Sequence, residues 1–561
     1  MRFDEGQAEE FDVLIIGAGI NGAGLFRDLC AQGLRCLLVE KGDFGSGTSA
    51  APSRLIHGGL KYLETGEFRL VAESTYERNL LLRNAAHLVR PLPTILPIFS
   101  WTRGIWAALR TLLGSKTAPR SRGAVLVKIG LWLYDFYGAR ARQMPRHQLW
   151  RRAKAREEIP ALTPRIVAAG TYYDATVLAP ERLVLELVQD GLRLSEGSEA
   201  LNWTAVCPSE APQLKGAPQA TVTLASADGR ARIVRPKLVI NAAGPWIDRV
   251  NAMLGIEGQL IGGTKGAHIL LDHPELLRQL DGRMIYFEGN DGRILLVFPF
   301  HGKALVGSTD IPCDRPDEVA CTAEETAYFL RSLKELLPGL AFDEGQIVYA
   351  YAGIRPLPNA QGVAPGLISR DHSAPIVPAG PERAFAVISL VGGKWTTFRA
   401  FSAEVADQCL TILGRARRCT TDEMAIGGGQ GMPRTRAARA AWVAEVAGQS
   451  GASEARVEQL LERYGTTARA VALHEGAAPI PLAGAMSEAE IDWIARHERV
   501  GHLEDILLRR TVLAITGQLS LPLCQRIAEI AGAALGWDAA RVAQEVARSR
   551  AVLAARHGVT L

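Results

Sequence analysis

The stretch from Phe11 to Asp43, FDVLIIGAGINGAGLFRDLCAQGLRCLLVEKGD, constrains this chain more than any other. Val13–Ile16 is a short, continuous apolar run, the pattern of a strand covered on both faces. It enters a turn with glycines at 17, 19 and 22. A helix-forming segment follows, with Gly24, Leu25, Leu29 and Cys30 available for packing. Gly33 stands where a helix C-terminal glycine belongs. A second apolar run, Leu34–Val39, ends at Glu40. Strand, glycine turn, helix, strand and acid in this order form the dinucleotide-binding fingerprint. Gly17 permits the tight turn, Gly19 lets backbone approach a pyrophosphate, and Gly22 lets helix and strand pack closely. The pyrophosphate then sits on the positive end of the helix. Ala18, Ile20 and Asn21 share that turn and count with the glycines as cofactor contacts. Glu40 can accept hydrogen bonds from a ribose diol and would repel a 2′-phosphate.

At about 100–200 residues per domain, a chain of 561 residues implies two to four domains. With 48% hydrophobic and 22% charged residues it belongs to the soluble globular class. The eight cysteines are scattered and include no C-x-x-C, so neither a zinc site nor a disulfide framework is expected. Reduced thiols in a cytosolic protein are the expectation. The acidic opening MRFDEGQAEEFD lacks an apolar core, so no signal peptide is expected. No uncharged apolar run is long enough to span a bilayer. The formal charge of +4 hides one asymmetry. From Trp101 to Lys154 there are twelve Lys/Arg and one acid, Asp135, which suggests an anionic partner.

After Glu40 comes SAAPSRLIHGGLKYLE (49–64), a loop with Arg54, His57, Lys61 and a Gly-Gly pair in a short space. Far along the chain, KLVINAAGPWID (237–248) is another apolar strand that runs into a small-residue turn, able to close over the same dinucleotide. The fingerprint serves FAD and NAD alike, and the residues themselves leave that choice open.

Eight segments in order decide it: IIGAGINGAG, SRLIHGGLKYLE, NAAGPW, GTKGAHI (263–269), LVGSTDIP (305–312), AGIRPL (352–357), ISRDH (368–372) and GGKWTTFR (392–399). Together they resemble the FAD-dependent glycerol-3-phosphate dehydrogenases of the aerobic, respiratory type, clearly from Phe11 to about Arg399 and more loosely beyond. The resemblance implies an α/β chain. It would have a Rossmann-like FAD-binding domain of the D-amino acid oxidase/glutathione reductase-2 type, an antiparallel-sheet (α+β) substrate domain and a C-terminal helical domain. It implies oxidation of sn-glycerol 3-phosphate to dihydroxyacetone phosphate, with FAD as cofactor, no metal, and ubiquinone or menaquinone as acceptor. An oxidase using O₂ and a non-catalytic, membrane-docked flavin redox sensor stand as alternatives.

Site residues carry over from those motifs. For the flavin they are Lys41, Thr48, Ser49, Ser53, Arg54, Leu55, His57, Gly58, Gly59, Ala243, Gly244, Trp246, Gly353, Gly393, Lys394 and Thr396, beside the turn residues and Glu40. For the substrate they are Lys61, Tyr62, His268, Thr309, Arg355 and Arg370. His268 is the candidate base, because its ordinary pKa lies near neutrality. Arg355 precedes Pro356, which favours an extended backbone, and a guanidinium recognises phosphate through a planar fork. Lys394 would offset the negative charge that develops at a reduced flavin. The family loop often has Arg where Lys61 stands, and Lys meets a phosphate as a point charge.

The stretch 101–143 combines Trp, Tyr, Leu and basic residues, as suits a helix lying in an anionic lipid interface. The expected divisions are a discontinuous FAD domain over 1–95, 155–255 and 350–402, a membrane-contacting segment over 96–154, a sheet domain over 256–349 and a helical domain over 403–561. IGGGQGMP (426–433) reads as a linker, and no catalytic constellation follows it. The expected location is the inner face of the cell membrane, peripherally bound, with no nucleic-acid partner and with a homodimer admitted.

Overall fold

The computed structural model describes residues 8–60, 67–102, 123–139, 143–208, 219–359 and 371–561. The glycine-rich unit forms as read: strand β1 (Glu9–Ile16), helix α1 (Ile20–Ala31) and strand β2 (Cys36–Val39). β1 pairs in parallel with β2 on one side and with the strand Ala231–Asn241 on the other. Two further parallel strands, Ala386–Ser389 and Glu199–Leu201, extend this core outward. Val13 and Ile15 pack into one core with α1 and the helices Pro180–Leu194 and Phe398–Ile412. Leu14 and Ile16 face the other way, onto Val222, Leu224 and Val250. A strand covered on both faces must be apolar throughout, which explains the continuous run.

A second sheet has ten strands among the described residues. Its order runs from Ile311–Pro312 through Ile261–Leu271, Lys303–Gly307, Ile294–Phe300, Met284–Glu288, Val89–Ile98 and Ala168–Val177 to Leu55–Ile56. Ile347–Pro358 pairs antiparallel along the whole of Ile261–Leu271. All pairings are antiparallel except that of Met284–Glu288 with Val89–Ile98.

Four strands placed by sequence with the FAD domain or its borders lie here instead, Leu55–Ile56 at the end of the order and three more. Val89–Ile98 and Ala168–Val177 pair from Val89↔Val177 to Ile98↔Ala168, and Ile347–Pro358 joins them in the same sheet. Strand patterns reveal which residues are extended and not which distant strand they meet. The boundary at 402 also cuts a helix, Phe398–Ile412, that is continuous and packs on α1.

Beyond that helix the chain is helical, with long members at Arg436–Ser450, Leu521–Leu535 and Ala539–His557. The segment read as a linker is a packed junction. A Cβ on Gly428 would stand 1.8 Å from the Tyr464 carbonyl oxygen, and one on Gly429 would stand 2.3 Å from that of Asn84. The glycines there let three stretches of backbone meet.

An equally strict requirement lies at the start of α1, where a Cβ on Gly22 would lie 1.9 Å from the Gly17 carbonyl oxygen and 3.2 Å from the Ala242 Cβ. Gly22→Ala is therefore expected to lower unfolding free energy by about 3 kcal/mol, as forced overpacking does. Urea unfolding checks this, and a wild-type midpoint would show that the helix is free to move away.

Candidate active site

The glycine turn meets a second turn edge to edge. Gly17 has φ +103°, in the left-handed region that favours glycine. Its N–H donates to Val39 O at 2.8 Å, and a Cβ would stand 2.6 Å from Ala242 O. Ala242 N donates to Ile16 O at 2.8 Å, which brings Ala243 and Gly244 to the same carboxyl end of the sheet. The helix start at Gly19 has no capping side chain. Ile20 N donates to Ser49 Oγ at 2.9 Å. The Glu40 carboxylate accepts N–H groups from Ala18 at 2.8 Å and Gly42 at 3.1 Å. Burial pushes Glu40 above the usual carboxylate range, against the effect of those two amides. Asn21 Oδ1 is buried without a hydrogen-bond partner. A helix start whose N-cap is a glycine, glycines with no room for a Cβ and an acid at the end of β2 fit a dinucleotide.

Next to this turn one face of the ten-stranded sheet lines a cavity of about 830 Å³. Thr48, Ser53, Leu55, His57 and Gly59 border it on the loop side, facing Gly353 of the sheet strand Ile347–Pro358. His268, Thr309 and Arg355 border it from the sheet, and Gly393, Lys394 and Thr396 from the segment before helix Phe398–Ile412. The loop and this last segment are tied together, since His57 N donates to Thr396 Oγ1 at 3.3 Å. Lys394 Nζ lies 3.3 Å from Ser74 Oγ.

His268 is 1% exposed and lies flat against Tyr351, centroid to centroid 4.8 Å. Its cross-strand partner is Gly307, and a Cβ there would stand 2.0 Å from the imidazole. Nε2 is 2.8 Å from Ser53 Oγ, and Nδ1 has no hydrogen-bond partner. Burial pushes the imidazole well below its ordinary value of 6.5, and the charges of Arg355 and Arg54 push the same way. His268 is thus a neutral ring at neutral pH. Arg355 donates to Ser308 Oγ at 2.8 Å, Thr309 O at 3.0 Å and Asp310 Oδ1 at 3.1 Å. Gly266 makes room for it, because a Cβ would stand 2.3 Å from the guanidinium.

Several residues singled out from sequence have other employment. The Arg54 guanidinium is buried and forks onto Glu181 at 2.8 and 3.2 Å, over the rings of Phe300 and Tyr351, the second of which stacks on His268. Thr309 receives Ala267 N at 2.9 Å and donates to Glu325 at 2.7 Å, so its hydroxyl is spent on the scaffold. Lys41 stands over the Trp246 ring at 3.9 Å, and both bond Asp317. Gly58 donates to Tyr134 Oη at 2.9 Å and Asp174 at 3.1 Å. Lys61, Tyr62 and Arg370 lie outside the described residues. Sequence reasoning missed the Ser53–His268 pair and the roles of Ser308 and Asp310. The motif LVGSTDIP held a signal for the latter, because it sets an acid and a hydroxyl on either side of Thr309.

Residues 12–408 match the family described as FAD dependent oxidoreductase, and residues 419–542 match that described as C-terminal domain of alpha-glycerophosphate oxidase. A Synechocystis sp. protein named glycerol-3-phosphate dehydrogenase is 32% identical over 460 residues, 77% of this chain and 76% of that one. A Pseudomonas aeruginosa protein of the same name is 30% identical over 540 residues, 91% of this chain and 93% of that one. The solved glycerol-3-phosphate dehydrogenase of Bacillus halodurans, complexed with FAD, shares the fold with a TM-score of 0.73 at 22% identity, covering 98% of this chain and 95% of that one.

The buried histidine gives a stability signature. Below about pH 6.5 an unfolded imidazole takes up a proton that the folded one refuses, so stability is lost as pH falls, at up to about 1.4 kcal/mol per pH unit. His268→Asn should flatten this slope between pH 7 and 5. Identical slopes in urea titrations of the two proteins would mean that His268 is not held neutral.

Proposed function

The chain belongs to the family of FAD-dependent glycerol-3-phosphate dehydrogenases, and from that premise we propose that it oxidises sn-glycerol 3-phosphate to dihydroxyacetone phosphate and passes the electrons to a membrane quinone. The observation that carries the reading is a neutral histidine and an immobilised arginine in one cavity beside the dinucleotide turn. When bound, FAD supplies the acceptor for the hydride that leaves C2 of the substrate. Gly17, Gly19, Glu40 and Ser49 would hold its adenosine and pyrophosphate half. His57, Gly59, Gly393 and Thr396 would border the ring half.

Arg355 binds the phosphate in this reading. Its fork is already oriented by Ser308, Thr309 and Asp310, so little side-chain freedom is lost on binding. Arg370 and Lys61 complete the cationic set by resemblance. His268 removes the proton of the C2 hydroxyl. The ring is almost fully buried and Ser53 is half-buried, so Ser53 Oγ passes that proton to Nε2. The neutral ring has a lone pair available at pH 7, though the burial and the cations that keep it neutral also weaken it as a base. Lys394 steadies negative charge that develops as the substrate is oxidised.

The quinone reading rests on a surface. On the helix Ala124–Tyr137, Val125, Ile129, Trp132 and Phe136 form one stripe, exposed from 46% to 64%, while Ala124, Val127, Leu131 and Tyr134 are buried beneath. Trp101 and Leu149 are exposed, as are the cations Lys128, Arg146, Arg151, Arg152 and Lys154. An apolar aromatic stripe among cations suits an anionic lipid surface, where each basic residue contributes about 1 kcal/mol. Among the described residues no helix is long and apolar enough to cross a membrane. A second reading, oxidation by O₂, draws on the oxidase named in the family description of residues 419–542.

Anaerobic glycerol 3-phosphate should bleach the oxidised-flavin band, and reoxidation in a stopped-flow instrument should be fast with quinone and slow with O₂. The opposite order would establish the oxidase. Arg355→Ala should raise KM for glycerol 3-phosphate by about 100-fold, the loss of charged hydrogen bonds to the phosphate, with FAD retained. Loss of flavin instead would move Arg355 out of the substrate role. Trp132→Asp with Phe136→Asp should abolish sedimentation with anionic vesicles and leave flavin reduction by substrate intact. Undiminished vesicle binding would exclude this helix as the docking surface.

A further inference from the structure

A second concentration of charge lies away from the cavity, buried between the loop after β2 and the C-terminal helices. Asp43 is fully buried and every side of its carboxylate is taken. Oδ2 accepts from Arg509 Nε at 2.6 Å and Arg510 Nη1 at 2.7 Å. Oδ1 accepts from Arg510 Nη2 at 2.9 Å and Asn202 Nδ2 at 3.0 Å. Consecutive residues of an α-helix diverge by about 100°. Ile506–Arg510 is instead a π-turn, a wider winding that narrows this angle and aims both guanidinium groups at one carboxylate. Around them Arg182 forks onto Glu498 at 2.8 and 3.0 Å, Arg510 donates to Glu498 O, and Asp505 accepts from Arg509, Trp203 Nε1 and Gly501 N. Burial alone would raise Asp43, but the charges of Arg510 and Arg509 outweigh it and hold it at about 2.

Burying ions carries a large desolvation cost, and apolar residues of similar volume often serve stability equally well. What a forked ion pair adds is fixed direction and angle. The loop gripped here is the one that needs both. Asp43 lies between Glu40, which holds Ala18 N and Gly42 N, and Ser49, which receives Ile20 N. Gly45 N donates to Ala18 O at 2.9 Å, so the loop is laced to the glycine turn on either side of Asp43. From Lys41 to Gly47 it has only bends and turns, with no regular element to fix it.

We propose that Asp43, Arg509 and Arg510 are positioning residues for the adenosine half of FAD: the C-terminal domain grips the loop that presents Glu40 and Ser49 to the phosphate turn. The arginines that set cofactor affinity are thus 466 and 467 residues from the carboxylate they hold. The C-terminal domain, which contributes no residue to the cavity, acquires a role in the reaction as the holder of the cofactor loop. Arg182 provides the internal control. It belongs to the same buried cluster, but its bonds run to Glu498 and to the Arg510 carbonyl, not to the loop.

The test uses the full chain, stripped of FAD and titrated with it, alongside thermal unfolding with and without FAD. Asp43→Asn should weaken FAD binding at least about tenfold and shrink the rise in Tm that FAD produces. Arg510→Lys keeps the charge but not the fork, and should fall between this variant and wild type. Arg182→Met should lower Tm of both forms and leave the Kd for FAD within about twofold of wild type. If Asp43→Asn gives no folded protein, Arg510→Lys is read by the same two measurements. Wild-type FAD affinity in the Asp43 and Arg510 variants overturns the proposal. So does an equal loss of affinity in Arg182→Met, which would make the cluster a general stabiliser of the domain contact.

Discussion

Backbone meets backbone at Gly17, and much of the architecture is arranged around that contact. No side chain fits between this turn and Ala242, so β1 and the strand Ala231–Asn241 must end together. That register puts two small-residue turns side by side at the carboxyl end of the parallel sheet, with the start of α1 between them. The same device recurs elsewhere. Gly428 and Gly465 let the glycine-rich junction meet the end of helix Glu454–Tyr464, while Gly307 and Gly266 clear space for the His268 ring and the Arg355 fork. Glycine here is less a source of flexibility than a means of close approach.

In the proposed reaction the cavity has to meet two electrostatic demands. A phosphate needs fixed positive charge, and a base needs a lone pair free of protons. Arg355 is offered for the first demand and bears on the second as well, because its charge, like that of Arg54 behind the ring, disfavours an imidazolium already disfavoured by burial. Each cation is restrained by its own acceptors, Arg54 by Glu181 and Arg355 by Ser308, Thr309 and Asp310. Fixed charges of this kind need little reorganisation when the reacting groups change charge.

Part of this was legible before any coordinates. The β1–α1–β2 unit is local, its turn, helix and acid all lying within a few tens of residues, so spacing alone exposed it. The helical character of the C-terminal region showed in its composition for the same reason. Motif resemblance brought His268 and Arg355 forward, and they line one cavity. Arg54 and His57 looked alike in the loop, yet one turns inward to Glu181 and the other borders the cavity, a difference set by residues more than a hundred positions away. The glycine-rich stretch near 428 read as a linker because nothing local shows that Tyr464 and Asn84 press against it.

The sequence by itself determined the dinucleotide unit and the helical tail, since periodicity, glycine spacing and composition act within a few turns of chain, while resemblance of its motifs to a known family supplied the class of chemistry. Only the tertiary structure decided which sheet each strand joined, that Ser53 serves His268, and that Asp43 is held by arginines from the far end of the molecule. Those outcomes depend on pairings between distant segments, where burial and charge compensation select the partner and no local pattern records it.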